Sequence, residues 1–133
     1  MAKYRMTTSP FSKMQGNRQV GMYGENIATN FLLKEGAIVE DRNFRTRFGE
    51  IDIVSRKDGI FTFSEVKTRR SGSHGAPEDA IDETKWQRMQ EIAEIWLSRR
   101  KIDPSVPYRL DIFSVQLIKD GSTELRRIGD YGI

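Results

Sequence analysis

The sequence predicts an α/β domain in which helices cover both faces of a central mixed β-sheet. Residues 18–35 and 84–99 place apolar side chains at steps of three and four residues, which is typical of helices with one buried face. Short runs rich in Ile, Val and Phe lie between and after these segments and predict strands. The predicted order is α-β-β-β-α-β, and the crossover helix brings the last strand in parallel to its neighbour.

The boundaries of these elements follow from local residue choices. The first helix ends at Gly36, because a residue without a Cβ suits a C-terminal cap. Strands follow at 37–44, 50–55 and 60–66, and a fourth strand is predicted over 108–118, with an edge strand near 125–128. The strands are apolar on both faces, as expected when helices cover both sides of a sheet.

Composition limits the classes of function. A chain of 133 residues can form one domain with a real core, and 37% hydrophobic with 31% charged residues fits a globular protein. The absence of cysteine and the single histidine, His74, exclude disulfides, thiol catalysis and Cys/His zinc sites. Any metal must therefore be a hard cation held by oxygen, such as Mg²⁺ or Mn²⁺. No apolar run exceeds three residues, so we expect no membrane span and a cytoplasmic location.

Positive charge is concentrated at the start of the chain. Residues 1–20 carry four basic side chains and no acidic one, whereas the rest of the chain holds 18 basic and 19 acidic side chains. We expect 1–20 to form a flexible basic arm and 21–133 to form a single domain. Such an arm can attract phosphate backbones, or it can be a solvated tail.

The pair Asp58-Gly59 predicts a tight hairpin turn between the second and third strands. A two-residue loop centred there places Asp52 opposite Glu65, and Glu50 opposite Lys67. Opposed Cβ atoms lie roughly 4.5–5.5 Å apart. Two facing carboxylates about 4 Å apart repel by about 4 kcal/mol at an effective dielectric of about 20. A positive partner must therefore lie close to them.

Two positive partners fit this spacing. In one interpretation, a divalent cation lies between Asp52 and Glu65, with Lys67 beside the attacking water. In the other, Glu50 and Lys67 form a cross-strand ion pair and Asp52 is solvated at the end of the sheet. The spacing alone does not choose between the two interpretations.

An acidic residue that ends one strand, followed by Glu-x-Lys on the next, resembles the PD-(D/E)XK nuclease superfamily. Here the elements are Ile51-Asp52 and Glu65-Val66-Lys67, and Ile51 stands in place of the proline of the superfamily name. Over residues 21–118 the chain also resembles the YraN-type family of small bacterial proteins, which is distantly related to Holliday junction resolvases. The segments that carry this resemblance are GMYGENIATNFL, RNFRTRFGEIDIV, FSEVKTRR, AIDETKWQRM and YRLDIFSV.

This resemblance implies a restriction-endonuclease-like core with a metal-dependent endonuclease site for DNA, including branched or otherwise structured DNA. Asp52, Glu65 and the main-chain carbonyl of Val66 would bind Mg²⁺ or Mn²⁺. Lys67 would orient or help to deprotonate the attacking water. Glu25 on the first helix would complete the acidic cluster, although it could equally be an exposed first-turn glutamate.

Basic residues flank the acidic strands and would position a nucleic acid, DNA rather than RNA, through phosphate contacts. The candidates beside the strands are Arg42, Arg45, Arg47, Arg69 and Arg70, and Lys85, which opens the second long helix and matches a position of the family, is a sixth. A non-catalytic nucleic-acid-binding module with the same fold is the alternative function, and a homodimer is a candidate state because resolvase-like nucleases often pair. Asp111 and the loop residue His74 receive no assigned role.

Overall fold

The computed structural model describes residues 2–6, 16–70 and 82–132, and eight helices and strands lie within these ranges. In chain order they are β1 (Ala2–Met6), α1 (Gly16–Lys34), β2 (Ile38–Thr46), β3 (Gly49–Lys57), β4 (Ile60–Arg70), α2 (Glu83–Arg99), β5 (Tyr108–Leu117) and β6 (Thr123–Gly132). The strands form one sheet in the order β1-β6-β5-β4-β3-β2. Only β4 and β5 are parallel neighbours among these described strands, and α2 connects them. The predicted mixed α/β fold and its order from α1 to β5 are confirmed.

The two helices cover opposite faces of the sheet. Ile112 and Phe113 are neighbours on β5 and therefore point to opposite faces. Ile112 packs in the core under α2 with Trp86 and Trp96, whereas Phe113 packs in the core under α1 with Leu32. Within the described residues, neither helix combines the length and the apolar character needed to cross a membrane.

Predicted turns at both glycine sites are confirmed. Gly36 has a φ of 93°, and the next residue, Ala37, donates its N–H to the carbonyl of Leu32 at 3.0 Å, which closes α1. Asp58 and Gly59 have φ values of 52° and 79°, as a two-residue hairpin loop with positive φ at both positions requires.

The β3–β4 hairpin has the predicted register, but its pairing is shorter than expected. The register runs from Lys57 opposite Ile60 to Ile53 opposite Ser64. Beyond that point the first half of β3 continues to pair with β2, while the second half of β4 continues to pair with β5. The two strands therefore fork, and Asp52 and Glu65 lie at the point where they separate.

A second irregularity lies at the same place. Ile51 and Ile53 would share a face in a regular strand, yet Ile51 packs under α2 and Ile53 packs under α1. On the neighbouring strand, Asn43 has a φ of 56° and lies between the residues that pair with Ile51 and Ile53. The regular alternation of side chains between the two faces of the sheet is therefore interrupted here in β2 and β3. Asp52 lies at this interruption.

Two segments within residues 1–20 lie in regular structure, where the sequence predicted a flexible arm. Ala2–Met6 pairs with β6 as an edge strand, and Tyr4 places its ring 4.5 Å from that of Phe31, while α1 begins at Gly16. Backbone pairing with β6 orders Ala2–Met6, and this pairing could not be predicted from the sequence pattern of the segment. The division of the chain at residue 20 stays a prediction, and His74 lies outside the described residues.

Candidate active site

Asp52 occupies the fork between β3 and β4. It is buried, at 5% exposed, and its Oδ2 accepts a hydrogen bond of 2.7 Å from the backbone N–H of Val66. In an antiparallel ladder this N–H would bond to the facing strand, so the carboxylate replaces a missing ladder partner. Because the N–H and C=O of one strand residue point to the same side, the carbonyl of Val66 also points into the fork.

The surroundings of Asp52 disfavour its charged form. Burial raises the pKa of Asp52 to about 7, and the charges of Glu25, Glu50 and Glu65 add to this effect, while the hydrogen bond from Val66 opposes it. The fold therefore brings four carboxylates close enough to interact, with the most buried one titrating near neutrality. A cation placed among them would favour the ionised form of Asp52.

Glu65 is held by two lysines. It follows Phe63 by two positions and so projects on the α2 face of the sheet. The Nζ of Lys85 lies 2.7 Å from Oε1 and 2.6 Å from Oε2 of Glu65, and the Nζ of Lys67 lies 3.4 Å from Oε1. The ammonium of Lys85 thus already occupies a position between the two oxygens where a cation would bind.

The start of α2 positions Lys85. Asp82 is the N-cap of the helix, and its Oδ1 accepts the backbone N–H of Lys85 at 2.9 Å. This bond satisfies one of the free N–H groups of the first turn and fixes the residue whose side chain reaches Glu65. Asp82 thereby helps to fix the position from which the side chain of Lys85 reaches Glu65.

Glu25 approaches the fork from α1. Gly24 lets the helix approach β4 so closely that an added Cβ would lie 1.8 Å from Oγ1 of Thr68. The carboxylate of Glu25 accepts a 3.4 Å contact from Arg42, which also donates to Asn26 at 3.1 Å. Glu25 is therefore an ion-paired residue that contributes to the field at Asp52, rather than a freely exposed first-turn glutamate.

The residues of this site lie within a region of the chain that matches a known protein family. The profile described as "Uncharacterised protein family UPF0102" matches residues 24–115, which include Glu25, Asp52, Glu65, Lys67 and Lys85. The chain belongs to the UPF0102 family. This confirms the predicted YraN-type family, whereas β1 and β6 fall outside the matched range.

Relatives in this family are similar over most of their length. The chain is similar to a UPF0102 protein of Dictyoglomus thermophilum, with 40% identity over 79% of this chain and 88% of the relative. It is also similar to a UPF0102 protein of Syntrophomonas wolfei, with 38% identity over 84% of this chain and 96% of the relative. A UPF0102 protein of Streptomyces griseus is 39% identical over 82% of this chain and 92% of the relative.

The interpretation in which Glu50 pairs with Lys67, one of the two that the spacing left open, is wrong in this UPF0102 chain. Glu50 pairs with Arg45 across β2 and β3, and Arg45 Nε lies 3.1 Å from its Oε2. Lys67 instead contacts Glu65 on its own strand. The reason is the fork, which separates β3 from β4 before Glu50 and Lys67 can oppose each other.

The donor set for a metal is small. Among residues 2–6, 16–70 and 82–132, no three His, Cys, Asp or Glu side chains are arranged so that they could hold a metal ion. The metal site predicted from the sequence requires only two carboxylate side chains, those of Asp52 and Glu65, and the main-chain carbonyl of Val66 as a third oxygen ligand. Oxygen donors alone suit Mg²⁺ or Mn²⁺, and the ammonium on Glu65 marks a position that already attracts a cation.

The predicted basic residues lie in three places. Arg42 and Lys85 are engaged with the acids of the site, and Arg69 and Arg70 lie half-buried at the end of β4. Arg45 and Arg47 lie at the tip of the β2–β3 hairpin, where the guanidinium of Arg47 is 4.9 Å from the ring centroid of Phe48. The structure therefore does not gather all six into one cluster.

Asp111 belongs to a separate buried network. It accepts hydrogen bonds from Ser64 and from Nε of Arg127, the latter at 2.7 Å, and Arg127 also contacts Glu35 at 2.8 Å. Burial raises the pKa of Asp111, while the charge and hydrogen bond of Arg127 act in the opposite direction. Sequence reasoning missed Arg127 and Glu35, because these partners are 92 positions apart and share no motif.

Proposed function

We propose that this protein is a metal-dependent endonuclease that hydrolyses phosphodiester bonds in DNA. The observation that carries the proposal is the acidic pair at the fork: buried Asp52 accepts the N–H of Val66 and interacts with the charge of Glu65, which two lysines contact. Phosphodiester hydrolysis requires a positioned water and neutralisation of the charge that develops on the phosphate. Asp52, Glu65 and Lys67 are residues of the types that supply these needs.

Asp52, Glu65 and the carbonyl of Val66 would hold Mg²⁺ or Mn²⁺. When bound, such an ion supplies Lewis-acid stabilisation of the phosphate and lowers the pKa of a water molecule. The raised pKa of Asp52 supports this role, because burial first, and the neighbouring carboxylates in addition, disfavour a charge that a bound cation would offset. The residues therefore fit the ion.

Lys67 and Lys85 would serve different parts of the reaction. Lys67 follows Glu65 on the same face of β4 and would orient the water through its ammonium group, or help to deprotonate the water once the amine is neutral. Lys85, once released from Glu65, would bind a phosphate oxygen with its ammonium group. Glu25 would act through charge, because its carboxylate raises the pKa of Asp52 and is itself held by Arg42.

The chain topology gives independent support. Its α-β-β-β-α-β order, with β4 and β5 parallel through α2, is the arrangement that the nuclease resemblance implies. The parallel pair β4 and β5 lies beside the fork between β3 and β4 in this sheet, and a restriction-endonuclease-like core is part of the proposal.

The test uses the full-length chain with labelled branched and single-stranded DNA in the presence of Mn²⁺. We expect cleavage that disappears in Glu65→Ala and persists in Glu40→Ala, a control whose carboxylate contacts Arg56 instead of the site. Cleavage that survives Glu65→Ala, or the absence of cleavage on both substrates, would overturn the enzyme assignment.

A non-catalytic nucleic-acid-binding module is the second candidate function. It is favoured by one observation: Lys85 and Lys67 already neutralise Glu65 without any divalent ion. This alternative predicts salt-sensitive DNA binding without turnover. It also predicts that Asp52→Asn leaves DNA affinity unchanged in the presence and absence of Mn²⁺.

A further inference from the structure

The tip of the β2–β3 hairpin presents an aromatic ring to solvent. Phe48 is 45% exposed, whereas Phe63 and Phe113 are fully buried in the two cores. Single exposed apolar side chains are common, so exposure alone assigns nothing. The local structure around Phe48 gives a more specific indication.

The turn that carries Phe48 is fixed by its neighbours. Oγ1 of Thr46 accepts the N–H of Phe48 at 3.0 Å and donates to the carbonyl of Gly49 at 3.1 Å. Gly49 has a φ of 132° and sits against α2, where an added Cβ would lie 3.3 Å from Cδ1 of Ile92. The backbone that carries the ring is therefore held in place before any ligand arrives, which lowers the entropy cost of binding to it.

One arginine lies directly beside the ring. The guanidinium of Arg47 lies 4.9 Å from the ring centroid, whereas Arg45 on the same hairpin pairs with Glu50. The open groove of about 570 Å³ beside Phe48 carries both signs of charge, with Glu91, Glu94 and Arg99 in its wall. An aromatic ring with a neighbouring arginine forms a platform on which any base can stack.

We propose that Phe48 and Arg47 stack an unpaired nucleotide of the DNA, so that the substrate carries an unpaired segment beside its duplex. This inference rests on the proposed nuclease function. Four residues separate Phe48 from Asp52, so the two lie at most about 13 Å apart along the chain at about 3.3 Å per residue. Cleavage is therefore expected within about four nucleotides of the stacked base, at roughly 3.4 Å per nucleotide step.

Binding is tested in EDTA, so that no cleavage occurs. The probe is a DNA duplex with a single-stranded overhang that carries 2-aminopurine, and a blunt duplex of the same sequence is the reference. Phe48→Ala should weaken overhang binding about tenfold and leave blunt-duplex binding unchanged, since one stacked base contributes on that order. Phe48→Trp should retain the affinity and the fluorescence change, and Leu33→Ala, which removes another exposed apolar side chain, should have no effect.

Other outcomes overturn the inference. Unchanged overhang binding in Phe48→Ala does so, as does an equal loss on both DNAs. A change confined to self-association, seen by size-exclusion chromatography, would instead make Phe48 a protein contact. Failure of the two proposals is distinguishable: cleavage that depends on Glu65 but not on Phe48 removes only the stacking site, whereas selective overhang binding without cleavage removes only the enzyme.

Discussion

The ammonium of Lys85 lies 2.6 and 2.7 Å from the two carboxylate oxygens of Glu65. A residue of α2 therefore covers one of the carboxylates of the candidate metal site. Both side chains are largely shielded, at 23% and 16% exposed, and such a charge-assisted contact is stronger than a surface pair. A divalent ion that binds Glu65 must displace this ammonium. Lys85 and the metal therefore compete for the same oxygens.

We predict that Lys85→Met increases the affinity for Mn²⁺ about tenfold, because a displaced charge-assisted contact is worth on the order of 1.5–3 kcal/mol and the metal no longer has to break it. The same variant should cleave DNA more slowly, since the proposed phosphate contact is lost. Calorimetric titration with Mn²⁺ measures the first effect. Lys34→Met, at an exposed position in the last turn of α1, is the control. Weaker Mn²⁺ binding in Lys85→Met would show that Lys85 supports the site rather than competing with the ion.

Metal affinity should depend on pH around neutrality. Burial and the neighbouring carboxylates raise the pKa of Asp52 to about 7. At pH 6 Asp52 is therefore protonated in most ion-free molecules, and the metal must displace this proton when it binds. We predict that Mn²⁺ affinity rises about tenfold per pH unit below pH 7 and levels off above pH 8. Titrations in buffers of different ionisation enthalpy would measure the proton release. A pH-independent affinity between pH 6 and 8 would contradict a role for Asp52 as a ligand.

Asp52→Asn should stabilise the ion-free protein. The folded state holds a proton on Asp52 between the ordinary pKa of 3.8 and about 7, whereas the unfolded state releases it. The stability of the wild type therefore falls as pH rises through this window, by at most about 4 kcal/mol in total. Asparagine carries no charge but keeps an oxygen that can accept the N–H of Val66.

The measurement for Asp52→Asn is urea-induced unfolding in EDTA at pH 5 and pH 8. We expect the stabilisation by Asp52→Asn to be larger at pH 8, and Mn²⁺ to stabilise only the wild type. Glu40→Gln is the control. Oε1 of Glu40 lies 2.8 Å from Nε of Arg56, which lies on β3 beyond the interrupted alternation at Ile51 and Ile53. A destabilised Asp52→Asn at pH 8 would mean that the bond to Val66 outweighs the cost of the buried charge.

Much of the fold could be predicted from sequence because its signals are local. The two turns with positive φ, at Gly36 and at Asp58-Gly59, depend on residue types that tolerate such backbone angles. The register of the β3–β4 hairpin followed from the second of these turns. Local chemistry was sufficient there.

The fork could not be predicted, because it depends on interactions between distant elements. Nothing in the sequence around Ile51 and Ile53 shows that the two side chains enter different cores. Ideal alternation therefore placed Glu50 opposite Lys67, which is wrong. The contact of Lys85 with Glu65 could not be predicted either, because it joins α2 to β4 across 20 positions. The sequence indicated only that Lys85 could contact a nucleic acid or face the site.

Gly24 and Gly21 provide a matched pair for testing how α1 positions Glu25. A Cβ at Gly24 would lie 1.8, 2.8 and 2.9 Å from three side-chain atoms of Thr68, so rotation of Thr68 alone cannot relieve the overlap. A Cβ at Gly21 would meet nothing within 4 Å. We predict that Gly24→Ala destabilises the protein by about 1–3 kcal/mol, whereas Gly21→Ala stabilises it by about 0.5–1 kcal/mol.

Urea unfolding measures both changes, and Mn²⁺ titration adds a functional readout. Because the overlap moves α1 away from β4, Gly24→Ala should also separate Glu25 from the fork and lower the pKa of Asp52. Thr68→Ala removes two of the three overlapping atoms, so we expect it to recover part of the stability lost in Gly24→Ala. If Gly24→Ala and Gly21→Ala were equally stable, α1 would have to pack less closely on β4, and Glu25 would have no fixed position beside Asp52.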